Sequence, residues 1–243
     1  METSALDTDE TNFSTPSPSV RLSKTSIASL EQCDKKFWLR LHHPKLGRWT
    51  ETTLRVFATG HLIGELARLC YPTGTLVKHD HTDLPAAISQ TRSLLNRTDP
   101  QPIFEGAFFH RSVVIRADIL VPASDGSWEI FEVKNSGGVR PAYISDLASQ
   151  TWVMHGTGLR LSGIYIRHPV KPLRPWGRAH PISFIDVDVA RSVMRAVAGK
   201  DDTVRHGIEV ATSAMPEVRM GAQCSKPYRC EFVEHCMQLP DDA

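Results

Sequence analysis

Between residues 116 and 137 the chain reads RADILVPASDGSWEIFEVKNSG, two apolar segments joined by a Ser-Asp-Gly turn. Apolar runs either side of a turn signal predict two paired strands, and their content of Ile, Val, Leu and Phe predicts that both are buried. The same strands carry Asp118, Glu132 and Lys134. Side chains alternate along a strand, so Glu132 and Lys134 share one face while Phe131 and Val133 take the other. Asp118 lies on the partner strand. Two neighbouring carboxylates repel, and each is costly to desolvate. A divalent cation between them removes both penalties, and oxygen-only ligands suit Mg²⁺ or Mn²⁺. The competing reading is a Glu-x-Lys pair on a solvated strand face.

The rest of the chain frames this hairpin. Spacing predicts helices over 25–39, 52–70, 84–95 and 143–155, with a long final helix over 188–210. Strands are predicted over 102–109, 112–121, 127–134, 159–168 and 182–189. Strands grouped in mid-chain with helices before, between and after them define an α/β fold on a mixed sheet. In the 52–70 helix, Leu54, Phe57, Ile63, Leu66 and Leu69 form an apolar stripe, and Gly60 and Gly64 cut a notch along one face. Residues 1–20 are rich in Ser, Thr, Asp and Pro and bury too little to offset ordering, so a disordered tail is expected. Residues 21–243 then form one domain.

The chain has 243 residues, of which 41% are hydrophobic, enough for a core. Its formal net charge is +1, so a general basic coat for nucleic acid is absent and any phosphate partner needs a local patch or metal ions. No apolar run approaches the ~20 residues of a membrane span, and no secretory leader is visible. The cytoplasm is the expected location, with no membrane partner.

Three of the five cysteines, Cys224, Cys230 and Cys236, fall within thirteen residues. In a reducing compartment such a cluster points to metal rather than disulfides. A four-coordinate site needs one more ligand. Cys33 is the candidate, since Cys70 falls in the helical stripe and reads as a small core hydrophobe.

Asp118 followed by Glu132-x-Lys134 resembles the signature of the PD-(D/E)xK phosphodiesterase superfamily, with Ala117 where the family's customary Pro precedes the Asp. The resemblance implies a restriction-endonuclease-like mixed β-sheet flanked by helices and metal-dependent hydrolysis of DNA, with Lys134 assisting at phosphorus. RecB-type members add an upstream helix with a Gly and a metal-binding His four residues on. Here FATGHLIGE offers Gly64 at that place, leaving Glu65 as the favoured further ligand and His61 as second choice. They also carry Gln-x-x-x-Tyr downstream. Gln150 fills the first position, to orient Lys134 or touch DNA, and Met154 stands where the Tyr would be.

One cysteine before this core and three after it resemble the iron–sulfur subgroup, which includes CRISPR-associated exonucleases and AddB-type repair nucleases, and an uncharacterised bacterial family of similar architecture. There the cluster clasps the chain's ends. The resemblance implies a [4Fe–4S] cluster on Cys33, Cys224, Cys230 and Cys236, with zinc as the alternative, because thiolate ligation alone suits both. It further implies an exonuclease in DNA repair or defence acting on single-stranded DNA or free ends. Asp118, Glu132, Glu65 and the Val133 carbonyl would hold Mg²⁺ or Mn²⁺. A non-catalytic nucleic-acid-binding module on the same scaffold is the alternative.

Other features carry less. Glu105 is a further acid on the strand before Asp118, ranked below Glu65. His79, His81 and Asp83 read as a polar loop. Lys35, Lys36, Arg40, His42, His43, Lys45 and Arg48 read as a basic, solvated face, or a phosphate contact. No Gly-x-Ser-x-Gly, phosphate-binding Gly-rich loop or dinucleotide fingerprint is present.

Overall fold

The computed structural model describes residues 20–79, 82–174 and 182–239. All but the last residue of the expected N-terminal tail, and His81, lie outside them. The strands are β1 (Leu22–Ser23), β2 (Thr75–Leu76), β3 (Ile103–His110), β4 (Val113–Pro122), β5 (Trp128–Val133), β6 (Leu161–Pro169) and β7 (Phe184–Asp188). The helices are α1 (Lys24–Gln32), α2 (Asp34–His42), α3 (Glu51–Arg68), α4 (Leu84–Leu95), α5 (Pro141–Gly156), α6 (Ala190–Val197), α7 (Lys200–Thr212) and α8 (Val233–Cys236).

The strands form one mixed sheet in the order β2-β3-β4-β5-β6-β7, with β1 beside β4. β3, β4 and β5 are antiparallel neighbours, α5 crosses over to bring β6 parallel to β5, and β7 returns antiparallel. The expected hairpin turns at Gly126, whose φ of 77° is easy only for glycine. Ile130, Ile115 and Leu120 face the main core with α1, α4, α5 and α7, while Phe131 and Ile119 form a smaller cluster on the other face with Ala67 of α3. This is the α/β, mixed-sheet, helix-flanked class that the sequence predicts. Among the described residues no helix is long and apolar enough to cross a membrane.

Two predicted helices are broken. The 25–39 helix stops at Cys33, whose extended backbone (φ −171°, ψ 126°) ends α1 and caps α2. The 188–210 helix divides at Ala198 and Gly199, where the glycine caps α7. The N-terminus of α1 is closed by a reciprocal pair: Ser26 N–H donates to Ser23 Oγ at 3.1 Å and Ser23 N–H to Ser26 Oγ at 2.6 Å.

The α3 stripe is corrected most. Its buried residues are Ile63 and Ala67, while Leu54, Phe57 and Leu69 are exposed. Cys70 is exposed too, not the core hydrophobe expected. A Cβ added at Gly60 or Gly64 would meet nothing within 4 Å, so these glycines serve no close packing among the described residues.

A second small core ties the α1–α2 region to the cysteine segment. Leu39, Cys230 and Phe232 pack together, and Gln32 Nε2 donates to the carbonyls of Gln223 and Tyr228 at 2.6 and 2.8 Å. Lys36 and Arg40 pair with Glu231, which is 4% exposed. The basic run is therefore not simply a solvated face, since Lys35 and Lys36 are buried. Truncating Phe232 to Ala is expected to cost ~3 kcal/mol or more, seen as a lower urea midpoint with an unchanged slope. An unmoved midpoint would mean that this clasp contributes little.

Candidate functional site

The site arises where β4 changes neighbours. Val113 and Val114 pair with β1, whereas Ile119 to Pro122 pair with β5. The β4–β5 register places Asp118 across from Glu132, but the ladder ends at Ile119 and Phe131. Instead, Asp118 Oδ2 accepts a hydrogen bond from Val133 N–H at 2.8 Å. The β3–β4 ladder also skips this level, between its pairs at Phe104 and Gly106. Glu105 stands there with φ of 55°, a left-handed conformation that costs on the order of 1–3 kcal/mol outside glycine. Glu105 faces Arg68 at 3.7 Å and Arg116 at 3.5 Å.

Glu132 lies at the centre and is 1% exposed. Its Oε1 is 2.8 Å from both Lys24 Nζ and Lys134 Nζ, and its Oε2 accepts from Gln150 Nε2 at 2.7 Å. Lys134 Nζ also meets Asp146 Oδ2 at 2.8 Å and lies 5.1 Å from the Tyr143 ring centre. The expected face sharing holds: Glu132 and Lys134 meet α5, and Phe131 packs on the α3 side.

The electrostatics separate the two carboxyls. Burial and the nearby Glu132 charge push the Asp118 pKa up to about 7, against the pull of Lys24 and with a further push from Glu105. Burial would raise the Glu132 pKa as well, but Lys134 and Lys24 outweigh it and hold the carboxyl well below the usual range. Burial disfavours the Lys134 ammonium, yet Glu132 and Asp146 keep its pKa well above normal, so the amine stays charged at neutral pH.

The predicted residues divide clearly. Asp118, Glu132, Lys134 and Gln150 are brought together. Gln150 is fully buried and binds Glu132 rather than Lys134, and its Oε1 has no hydrogen-bond partner among the described residues. Met154 packs in the main core. Glu65 and His61 are exposed on α3, each two positions from a buried Ile63 or Ala67 and hence about 200° around the helix from it. Beside Glu132, the acid whose charge reaches Asp118 is Glu105. Two members of the network escape the sequence reading. Asp146 lies four residues before Gln150 on the same helical stripe, a signal that was available. Lys24 lies 108 residues from Glu132 and joins it only through β1–β4 pairing.

Cys33, Cys224, Cys230 and Cys236 line one cavity with Lys35, Lys36 and Phe232. Phe232 N–H donates to Cys230 Sγ at 3.4 Å. Burial raises the Cys236 thiol pKa, with Cys224 and Cys33 adding to the rise. Tyr228, from the same segment, falls within the field of Tyr143, Lys134 and Asp146. Among the described residues, no three His, Cys, Asp or Glu side chains form a ready-made metal site.

No protein-family model and no curated protein matches the chain. A solved structure titled "Crystal structure of SSO0001" aligns over 79% of this chain and 79% of its own, at 11% identity and a TM-score of 0.38. So weak a likeness carries no argument about function.

Asp118→Asn is expected to stabilise the protein in EDTA at neutral and alkaline pH. A raised folded-state pKa means that ionised Asp118 opposes folding. That penalty is absent below the unfolded value of about 4 and is complete above about 7. The Asn variant should thus gain in melting temperature across that interval and level off above it. A gain independent of pH would contradict the assignment.

Proposed function

We propose that the chain is a PD-(D/E)xK-type, Mg²⁺- or Mn²⁺-dependent deoxyribonuclease, an exonuclease preferring single strands or free ends, in DNA repair or defence. The observation that carries this reading is the meeting of Asp118, Glu132, Lys134 and Gln150 at the β4–β5 fork. Their chemistry fits a hard cation. Asp118 is held near neutrality by burial and by its acidic neighbour, the condition a cation between two carboxylates relieves.

Asp118 and Glu132 would hold the ion, with the Val133 carbonyl a further oxygen. Glu105 is better placed than Glu65 or His61 to add a third acid, because its charge already bears on Asp118. The ion would supply Lewis-acid polarisation of the phosphate and an activated water. Lys134 keeps its proton, so its part is to stabilise charge developing on phosphorus rather than to act as base. Gln150 holds the Glu132 carboxylate in orientation, and Asp146 does the same for Lys134. Tyr143 is buried with its ring centre 5.1 Å from Lys134 Nζ and helps to hold that ammonium in place.

The same reading makes Cys33, Cys224, Cys230 and Cys236 the ligands of a [4Fe–4S] cluster or, alternatively, zinc. Four thiols around one cavity, with a backbone N–H on one sulfur, support it. Protein purified without oxygen should be brown with a broad visible band. A colourless protein carrying zinc would decide for the alternative.

A non-catalytic nucleic-acid-binding module is favoured by one observation, that Glu132 is already neutralised by two ammonium groups. Labelled single- and double-stranded DNA with Mn²⁺ separates the readings. Cleavage should stop in EDTA and fall by about 100-fold or more in Asp118→Ala and Lys134→Ala. Binding without cleavage in any divalent metal would favour the module, and undiminished cleavage by both variants would remove this site from the reaction.

A further inference from the structure

Lys24 belongs to neither the hairpin nor the α5 stripe, yet its ammonium reaches Glu132 and its backbone is fixed by β1 and α1. Its position is set on both sides. Leu22 and Ser23 are locked to Val113 and Val114 of β4, and Ser23 closes the first turn of α1. Lys24 therefore enters the fork at the point where β4 leaves β1 for β5, five residues before that exchange is complete at Ile119. Its ammonium meets the same Glu132 oxygen as Lys134, at the same 2.8 Å. Lys134 has a second carboxylate, Asp146, to hold it. For Lys24, Glu132 is the one carboxylate partner within ion-pair distance among the described residues. Its side chain is 24% exposed, so it can leave toward solvent while the carboxylate, at 1%, stays in place.

We infer that Lys24 is a tethered, displaceable counter-ion: it neutralises Glu132 in the metal-free protein and must release that carboxylate when a divalent cation binds. The inference rests on the nuclease reading, and it assigns the residue a positioning role rather than a chemical step. A buried carboxylate pair is unstable alone, and a lysine on a fixed stem supplies the missing charge without competing permanently. Lys134, held by two acids, remains where it is. Occupation by Lys24 and by the metal is exclusive, so each weakens the other by the same factor.

Mn²⁺ titration of the protein without DNA, followed by the loss of free-ion electron-spin resonance signal, tests this. Lys24→Gln should bind Mn²⁺ more tightly than wild type by about 5- to 150-fold, the range of such couplings. Lys24→Arg, which keeps the charge, should stay near wild type. In EDTA, Lys24→Gln should melt below wild type, and Mn²⁺ should close the gap. Wild-type protein gives an independent arm: amine labelling read by mass spectrometry should increase at Lys24, but not at Lys134, when Mg²⁺ is added. Unchanged labelling of Lys24, or Mn²⁺ binding that depends on Asp118 but is not tightened in Lys24→Gln, overturns the inference alone. Failure of Mn²⁺ to bind either form overturns the nuclease reading with it.

Discussion

Everything near the fork answers to one buried negative charge. A carboxylate removed from water costs several kcal/mol unless it is paired and hydrogen-bonded, and Glu132 is met by two ammonium groups and an amide. Each partner comes from a different part of the chain. Lys134 comes from β5's own end, Gln150 from the crossover helix, and Lys24 from the junction of β1 and α1. The short β1, only two residues long, makes sense as the device that sets α1's first residue in register with β4. The interrupted ladders at Glu105 and Asp118 belong to the same arrangement. The sheet gives up regular hydrogen bonds at one level, and Asp118 recovers one of them through Val133 N–H.

The hairpin, the two-faced division of Phe131 from Glu132 and Lys134, the mixed sheet and most helix positions could be read directly, because alternation and turn chemistry are local. Gln150 could be picked out, but not its partner: a pattern four residues wide says which helix face it occupies and not which charge it meets. Asp146 shared that stripe. Lys24 could not be found by any local pattern, since parallel pairing of a two-residue strand leaves almost no mark in sequence. The errors have physical causes as well. Period-3.6 apolarity in α3 predicts a buried stripe, yet a helix with an apolar stripe need not be covered, and Leu54, Phe57 and Leu69 are exposed. Cys33 sits in a helix-forming context and is extended nevertheless, a tertiary override that no propensity carries.

α1 links the two chemical regions of the molecule. Its first residue is Lys24 at Glu132, and the residue after its last is Cys33 at the thiol-lined cavity. Gln32 binds the carbonyl of Tyr228, whose ring lies within the field of Lys134 and Asp146. A rigid nine-residue helix thus sets the distance between the cysteine segment and the fork. The cysteine segment and the fork are therefore joined through one short helix.

α3 has a different standing. Eighteen residues long, it buries Ile63 and Ala67 and reaches Glu105 through Arg68, with open space beside its glycines. Such an element has a small share of the global stability and opens by local fluctuation long before the core does. Its amides should exchange with solvent faster than those of α5, nine of whose sixteen residues are buried. The outer side of the sheet at Phe104, Ile119 and Phe131 is accordingly shielded in part by a lightly anchored helix.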